Sequence, residues 1–201
     1  MQVRQVEFQF KGSRNYIQGP DIFNVMTDIG YPINSLNNIR FTVHDFVRTP
    51  ICQLYLADTK EALNGVSDIR ARCQFEANAA SHWLGLTQGA GDAVSGGRYE
   101  YDEDRIITLC SMEEEGIALA QQSPFTFIES VVSMNKHMHQ QLFPDVTGKW
   151  IFTRIDLETG CDAQEKLALR FRHNMNYRLT KSDILVNGKK VGDIYFSLVK
   201  S

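Results

Sequence analysis

Apolar residues recur at three- and four-residue spacing from Ser123 to Phe143, the longest helical pattern in the chain. Phe125, Ile128 and Val132, with Phe127, Val131, Met134, Met138 and Leu142, form one band. Ser123 is placed to cap it, Pro124 to open the first turn and Pro144 to stop it. The spacing predicts an amphipathic helix of roughly eighteen residues, about 27 Å long, which must lay its band on something broad. A sheet is the obvious cover.

Most of the other patterned stretches read at period two. Val6, Phe8 and Phe10 alternate within a first strand, Val3 to Phe10. Gly19-Pro20-Asp21 then opens a shorter helix through Ile22, Phe23, Val25, Met26 and Ile29, closed by Gly30. Ile39 to Val47 and Ile51 to Ala57 read as strands, and a polar loop with Asn64-Gly65 leads to a clean alternation. There Ile69, Ala71, Cys73, Phe75 and Ala77 oppose Arg70, Arg72, Gln74, Glu76 and Asn78. Trp83, Leu84 and Leu86 continue into a further strand. Gly89 to Gly97 is the most glycine-dense stretch; it lacks the Lys-Ser/Thr and the strand-turn-helix context of a phosphate loop, and reads as a connector.

Beyond it the order repeats. Tyr99 to Cys110 is strand-like, the long helix follows, and Trp150 to Leu157 and Leu167 to Leu179 are strands. Two more flank Asn187-Gly188, a tight-turn signal. Phe41-Thr42-Val43-His44-Asp45-Phe46 and Phe152-Thr153-Arg154-Ile155-Asp156-Leu157 share a Phe-Thr-x-x-Asp-apolar pattern after their respective helices. The expectation is an α+β chain of two copies of one unit, residues 1–88 and 98–201 joined by 89–97, each an antiparallel sheet wrapped round a helix.

Composition narrows the partners. With 43% hydrophobic and 22% charged residues among 201, the chain can bury one good core or two small ones. Its 21 basic and 24 acidic residues are spread along the chain, so it carries no nucleic-acid footprint. No run of about eighteen apolar residues predicts a membrane span, and Met1-Gln2-Val3-Arg4-Gln5 leads straight into a strand pattern, which sets a cytoplasmic expectation. Cys52, Cys73, Cys110 and Cys161 form no CxxC pair, against a structural zinc or a redox dithiol, and read as reduced thiols. No metal or cofactor is expected. Open sheets leave edges, so either covered edges or a homodimer is.

This element order resembles the hotdog superfamily, and two units in one chain resemble a double hotdog. Pro124-Phe125-Thr126-Phe127-Ile128-Glu129-Ser130-Val131-Val132 is similar to the start of the central helix in FabZ-type hydroxyacyl-ACP dehydratases and AfsA-type butenolide synthases, with Glu129 at the acidic position. The resemblance implies a substrate class, acyl groups carried as thioesters on CoA or acyl carrier protein. The dehydratase His-Phe-Pro motif is absent; Glu113-Glu114-Glu115-Gly116 stands in that region.

Strict alternation from Leu167 to Leu179 turns His173 inward with Leu169, Phe171 and Met175. It is then either a core histidine or a general acid or base near Glu129. Glu129 itself belongs to a pocket or to the solvated stripe of its helix. His137 and His139, about 200° apart on a helix, cannot share a metal and read as surface residues. Tyr16, His82 and Trp83 are candidates to line an acyl pocket. Arg170 and Arg172, on the opposite strand face, would meet phosphates of the carrier or simply face solvent. Two functions follow. One is an acyl-thioester enzyme, dehydratase- or thioesterase-like, using the acidic residue on the helix; the other is a noncatalytic acyl-binding or assembly protein with the same fold, which the missing His-Phe-Pro favours.

Overall fold

The computed structural model describes residues 1–89, 97–162 and 166–200, and the chain divides into two compact units, Met1–Tyr101 and Asp102–Ser201. Except for its two ends, the connector expected at Gly89 to Gly97 lies outside the described residues. Among the described residues no helix is long and apolar enough to cross a membrane.

The first unit runs β1 (Gln2–Glu7), β2 (Phe10–Lys11), α1 (Gly19–Thr27), β3 (Asn37–Val43), β4 (Ile51–Ala57), β5 (Ile69–Ala77), β6 (Ala80–Gln88) and β7 (Arg98–Tyr99). Five antiparallel strands lie side by side in the order β1, β4, β6, β5, β3, while β7 pairs in parallel with β2. Pro20 starts α1, where its missing N–H costs nothing. The helix buries Ile22, Phe23 and Met26, and Phe23 meets Phe41 of β3 edge-on at 5.5 Å. Asn78 and Ala79, both at positive φ, turn β5 back into β6.

The second unit runs α2 (Asp104–Ile107), β8 (Cys110–Glu113), β9 (Gly116–Leu119), α3 (Phe127–Leu142), β10 (Lys149–Thr159), β11 (Ala168–Met175), β12 (Leu179–Val186) and β13 (Lys189–Val199). Its strands lie in the order β10, β13, β12, β11, β9, β8. The turn at Asn187 (φ 53°) and Gly188 (φ 75°) joins β12 to β13, as the dipeptide predicts. The long helix buries Phe127, Ile128, Val131, Met134 and Met138, each large apolar side chain worth about 2 kcal/mol of removal from water.

Three local expectations are revised. Helix α3 starts at Phe127: Ser123 Oγ accepts from Phe125 N, ahead of the helix, whereas Thr126 and Glu129 form a reciprocal capping box that satisfies two helix-start donors. The stretch Tyr99 to Cys110 contains a helical turn, α2, with Asp102 Oδ1 accepting from Asp104 N. The strand from Leu167 stops at Met175. Asn176 and Tyr177 adopt positive φ, Asn174 Oδ1 accepts from Tyr177 N, and the chain reverses into β12.

Candidate functional site

Glu129 is held at the start of its own helix, and His173 lies on the outer face of its sheet. The Glu129 carboxylate accepts from Thr126 N at 2.9 Å and from Thr126 Oγ1 at 2.7 Å, so it points back at the start of its own helix. His173 does not face inward. The register of β11 on β12 slips between Phe171, opposite Ser182, and His173, opposite Lys181. One extra residue in the bulged strand reverses its alternation. His173 is therefore exposed, and Met175, expected inside, is 55% exposed.

The outer face of this sheet carries a ladder of ions. Arg172 Nε donates to Asp183 Oδ2 at 2.5 Å, and Lys190 Nζ lies 2.9 Å from Asp183 Oδ1 and 2.7 Å from Asp193 Oδ1. Lys181 reaches Asp193 at 3.1 Å. Burial pushes the Asp183 carboxyl up, but its bonds to Lys190 and Arg172 outweigh that and hold it below its ordinary value. Arg172 thus answers a carboxylate of its own sheet, while Arg170 stays exposed.

Beneath the sheet sits the residue that the sequence reading assigned to the surface. His139 is fully buried, stacked on Phe196 (5.7 Å, 22°) with Trp150 edge-on at 4.6 Å and Phe171 at 5.7 Å. Its Nδ1 is 2.7 Å from the Asn135 carbonyl, which can only accept, so that nitrogen carries the proton. Nε2, at 2.6 Å, accepts from Thr180 Oγ1. Burial pushes His139 down to about 4, against the pull of the carbonyl, so the ring is neutral at pH 7. The signal was present: seven and eleven residues beyond the apolar Ile128, helical phase brings Asn135 and His139 onto the buried stripe.

In the first unit two predicted residues meet. His82 and Trp83 line a pocket of about 300 Å³ with Ile29, Tyr31, Leu56 and Leu84. That volume is at the lower end of small-molecule sites. The His82 ring lies 5.6 Å from Tyr31 and 5.3 Å from Phe75, and its Nε2 is buried with no hydrogen-bond partner among the described residues. Tyr16 packs elsewhere, 4.7 Å from Phe46. A further group escaped the sequence reading: Lys11 is 1% exposed, its Nζ 2.7 Å from Asp21 Oδ1 and 4.3 Å from the Tyr101 ring centre. Among the described residues no three His, Cys, Asp or Glu side chains gather as metal ligands would. Burial raises the Cys52 and Cys110 thiols to about 11, away from thiolate chemistry.

No protein-family model matches the sequence, and no curated protein matches it. Solved structures do. The chain is similar to the dehydratase domain of PpsC from Mycobacterium tuberculosis in complex with C12:1-CoA (TM-score 0.53, 7% identity, 98% of this chain and 93% of that one). It is also similar to a monomeric dehydratase domain from a trans-AT polyketide synthase split module (TM-score 0.51, 10% identity, 98% of each chain). A third likeness is to a structure named as a thioesterase II from Thermobifida fusca YX (TM-score 0.50, 8% identity, 98% of this chain and 92% of that one). These are hotdog-fold proteins, and the likeness establishes a hotdog fold for this chain.

Proposed function

We propose that this chain binds acyl groups carried as thioesters on CoA or acyl carrier protein, and that it does so without an acid–base pair of Glu129 and His173. The observation that carries the second part is the capping box: a carboxylate accepting two bonds at the start of its own helix is committed there, and the bulge in β11 turns His173 to the outer face. The fold supports the first part, since one structure of this fold carries C12:1-CoA. The pocket at His82 and Trp83 is the seat we assign to the acyl end, with Leu56, Leu84 and Tyr31 as its apolar walls.

On this reading each unit is one hotdog module. The repeated order of strand, helix and four strands supports the tandem arrangement, and a cytoplasmic setting suits four cysteines outside any disulfide. Because a ligand that binds only the folded state must stabilise it, by roughly 2.7 kcal/mol at one hundred times its Kd, acyl-CoA raises Tm where CoA alone does so less. His82→Ala and Trp83→Ala abolish the acyl-dependent part. No shift with any acyl-CoA or acylated carrier protein overturns the reading.

A second reading, a thioester enzyme, is favoured by one feature. The buried His82 Nε2 has no hydrogen-bond partner among the described residues, and an imidazole nitrogen beside a pocket can take a proton from water attacking a thioester carbonyl. Thioester turnover that is lost in His82→Ala and kept in Glu129→Gln selects this second reading.

A further inference from the structure

The largely apolar core of the second unit contains two buried polar side chains whose polar atoms no described residue answers. Asn135 and Ser182 are both 0% exposed, and among the described residues neither the amide oxygen, the amide nitrogen nor the Ser182 hydroxyl has a hydrogen-bond partner. One sits on α3, the other on β12. The packing says how they face. Phe143, just past the end of α3, lies 5.4 Å from Tyr177, just ahead of β12, and His139 one turn back bonds Thr180. The helix therefore runs back along its axis as β12 runs forward. One more turn back along the helix, about 6 Å, is Asn135. Two residues further along the strand, about 7 Å, is Ser182. The register of β12 on β13 is regular from Thr180 to Ile184, so Ser182 shares the inward face of Thr180.

We infer that Asn135 and Ser182 hold one buried water molecule between α3 and β12. Three groups are unmet: an amide donor, an amide acceptor and a hydroxyl that is both. A buried water typically makes about three hydrogen bonds to such groups. On the same elements Val131, Met134, Met138 and Ile184, and Ile194 opposite Ser182 on β13, are all fully buried, so the site takes the smallest polar species. With the neighbouring His139–Thr180 bond, the water gives α3 a second polar tie to β12, one turn from the first. Two ties a turn apart fix both the rotation and the slide of the helix, which apolar contacts alone leave degenerate.

The test pairs a crystal structure that resolves ordered solvent with a double-mutant cycle in the full chain. Ordered water within hydrogen-bond reach of the Asn135 amide and Ser182 Oγ is expected. Ser182→Ala and Asn135→Leu each lower Tm by about 4 °C, since each strands the other group, and the double variant falls no further than the worse single one. A dry site overturns the inference. So do additive increases in Tm, which mark two independent orphaned groups relieved by apolar replacement. If Asn135→Leu fails to fold, Ser182→Ala and the crystal structure decide the question between them.

Discussion

The two units spell the same order along the chain, strand, helix and four strands, and hydrogen-bond those four strands differently. In the first the sheet reads β1, β4, β6, β5, β3; in the second the corresponding run is β9, β11, β12, β13, β10. The third and fourth strands after the helix have exchanged places. Turn chemistry accounts for it. In the second unit Asn176-Tyr177 and Asn187-Gly188 make two consecutive tight reversals, so β11, β12 and β13 must be neighbours. In the first, among the described residues, only Asn78-Ala79 joins two of the four strands tightly. The connection from β4 to β5 spans residues 58–68 and includes a 3₁₀ turn at Glu61–Leu63, long enough for β5 to land one place beyond its sequential position and leave room for β6. Chain order alone therefore underdetermines sheet order, and loop length decides it.

The interiors differ in kind as well. The first unit buries a charge, Lys11, against Asp21 and a tyrosine ring. Under its helix the second buries neutral polar groups, His139, Thr180, Asn135 and Ser182, while its buried carboxylate, Asp183, lies on the other face of the sheet. The sharpest way to break that contrast is Lys11→Met, which leaves the Asp21 carboxylate, its side chain only 17% exposed, without its ammonium. Removing one partner of a buried pair costs about 3 kcal/mol or more. Urea unfolding should show the midpoint fall, and Lys11→Met with Asp21→Asn should recover much of it. An unchanged midpoint in the single variant would mean the pair contributes nothing.

Acid should act on the other unit. The unfolded chain protonates His139 near 6.5 and the folded chain near 4, so between these values the unfolded state binds more protons. The contribution of a neutral His139 is complete above pH 6.5 and is lost as pH falls toward 4, amounting to about 3 kcal/mol. His139→Gln lowers stability at neutral pH but removes this slope. Amide exchange measured at pH 7 and pH 5 should show the loss concentrated in α3 and β12 of the wild type; equal slopes in the two proteins would show that His139 does not titrate across the transition.

What the sequence disclosed and what it hid follow one physical line. Local signals were legible: the apolar band of α3, the alternation of Ile69 to Ala77, and Asn187-Gly188, whose geometry depends on a few adjacent residues. His173 was misplaced because a single bulge between Phe171 and His173 inverts a strand's alternation, and nothing nearby in the sequence announces it. His139 and Lys11 were missed because polar side chains are read as solvent-facing unless a partner is known, and their partners, Thr180 and Asp21, are distant in the chain or on another element. For the candidate site, His82 and Trp83 were found at a shared pocket, whereas Arg172 was already engaged by Asp183.

The smallest expected effect bears most directly on function. Thr126 and Glu129 cap α3 reciprocally, and the two substitutions separate the structural role of Glu129 from a catalytic one. Thr126→Ala removes the side-chain acceptor for the Glu129 N–H and should lower stability by about 1 kcal/mol. Glu129→Gln keeps an oxygen that can accept from Thr126 N, since glutamine serves in the same box. It forfeits only the favourable charge at the helix N-terminus, about 0.5 kcal/mol. If Glu129 is a cap and nothing more, Glu129→Gln leaves acyl-CoA affinity and any thioester turnover unchanged. Should the same substitution cut turnover a hundredfold or so while thermal unfolding barely moves, the carboxylate must leave its cap during the reaction, and the binding-only reading falls with it.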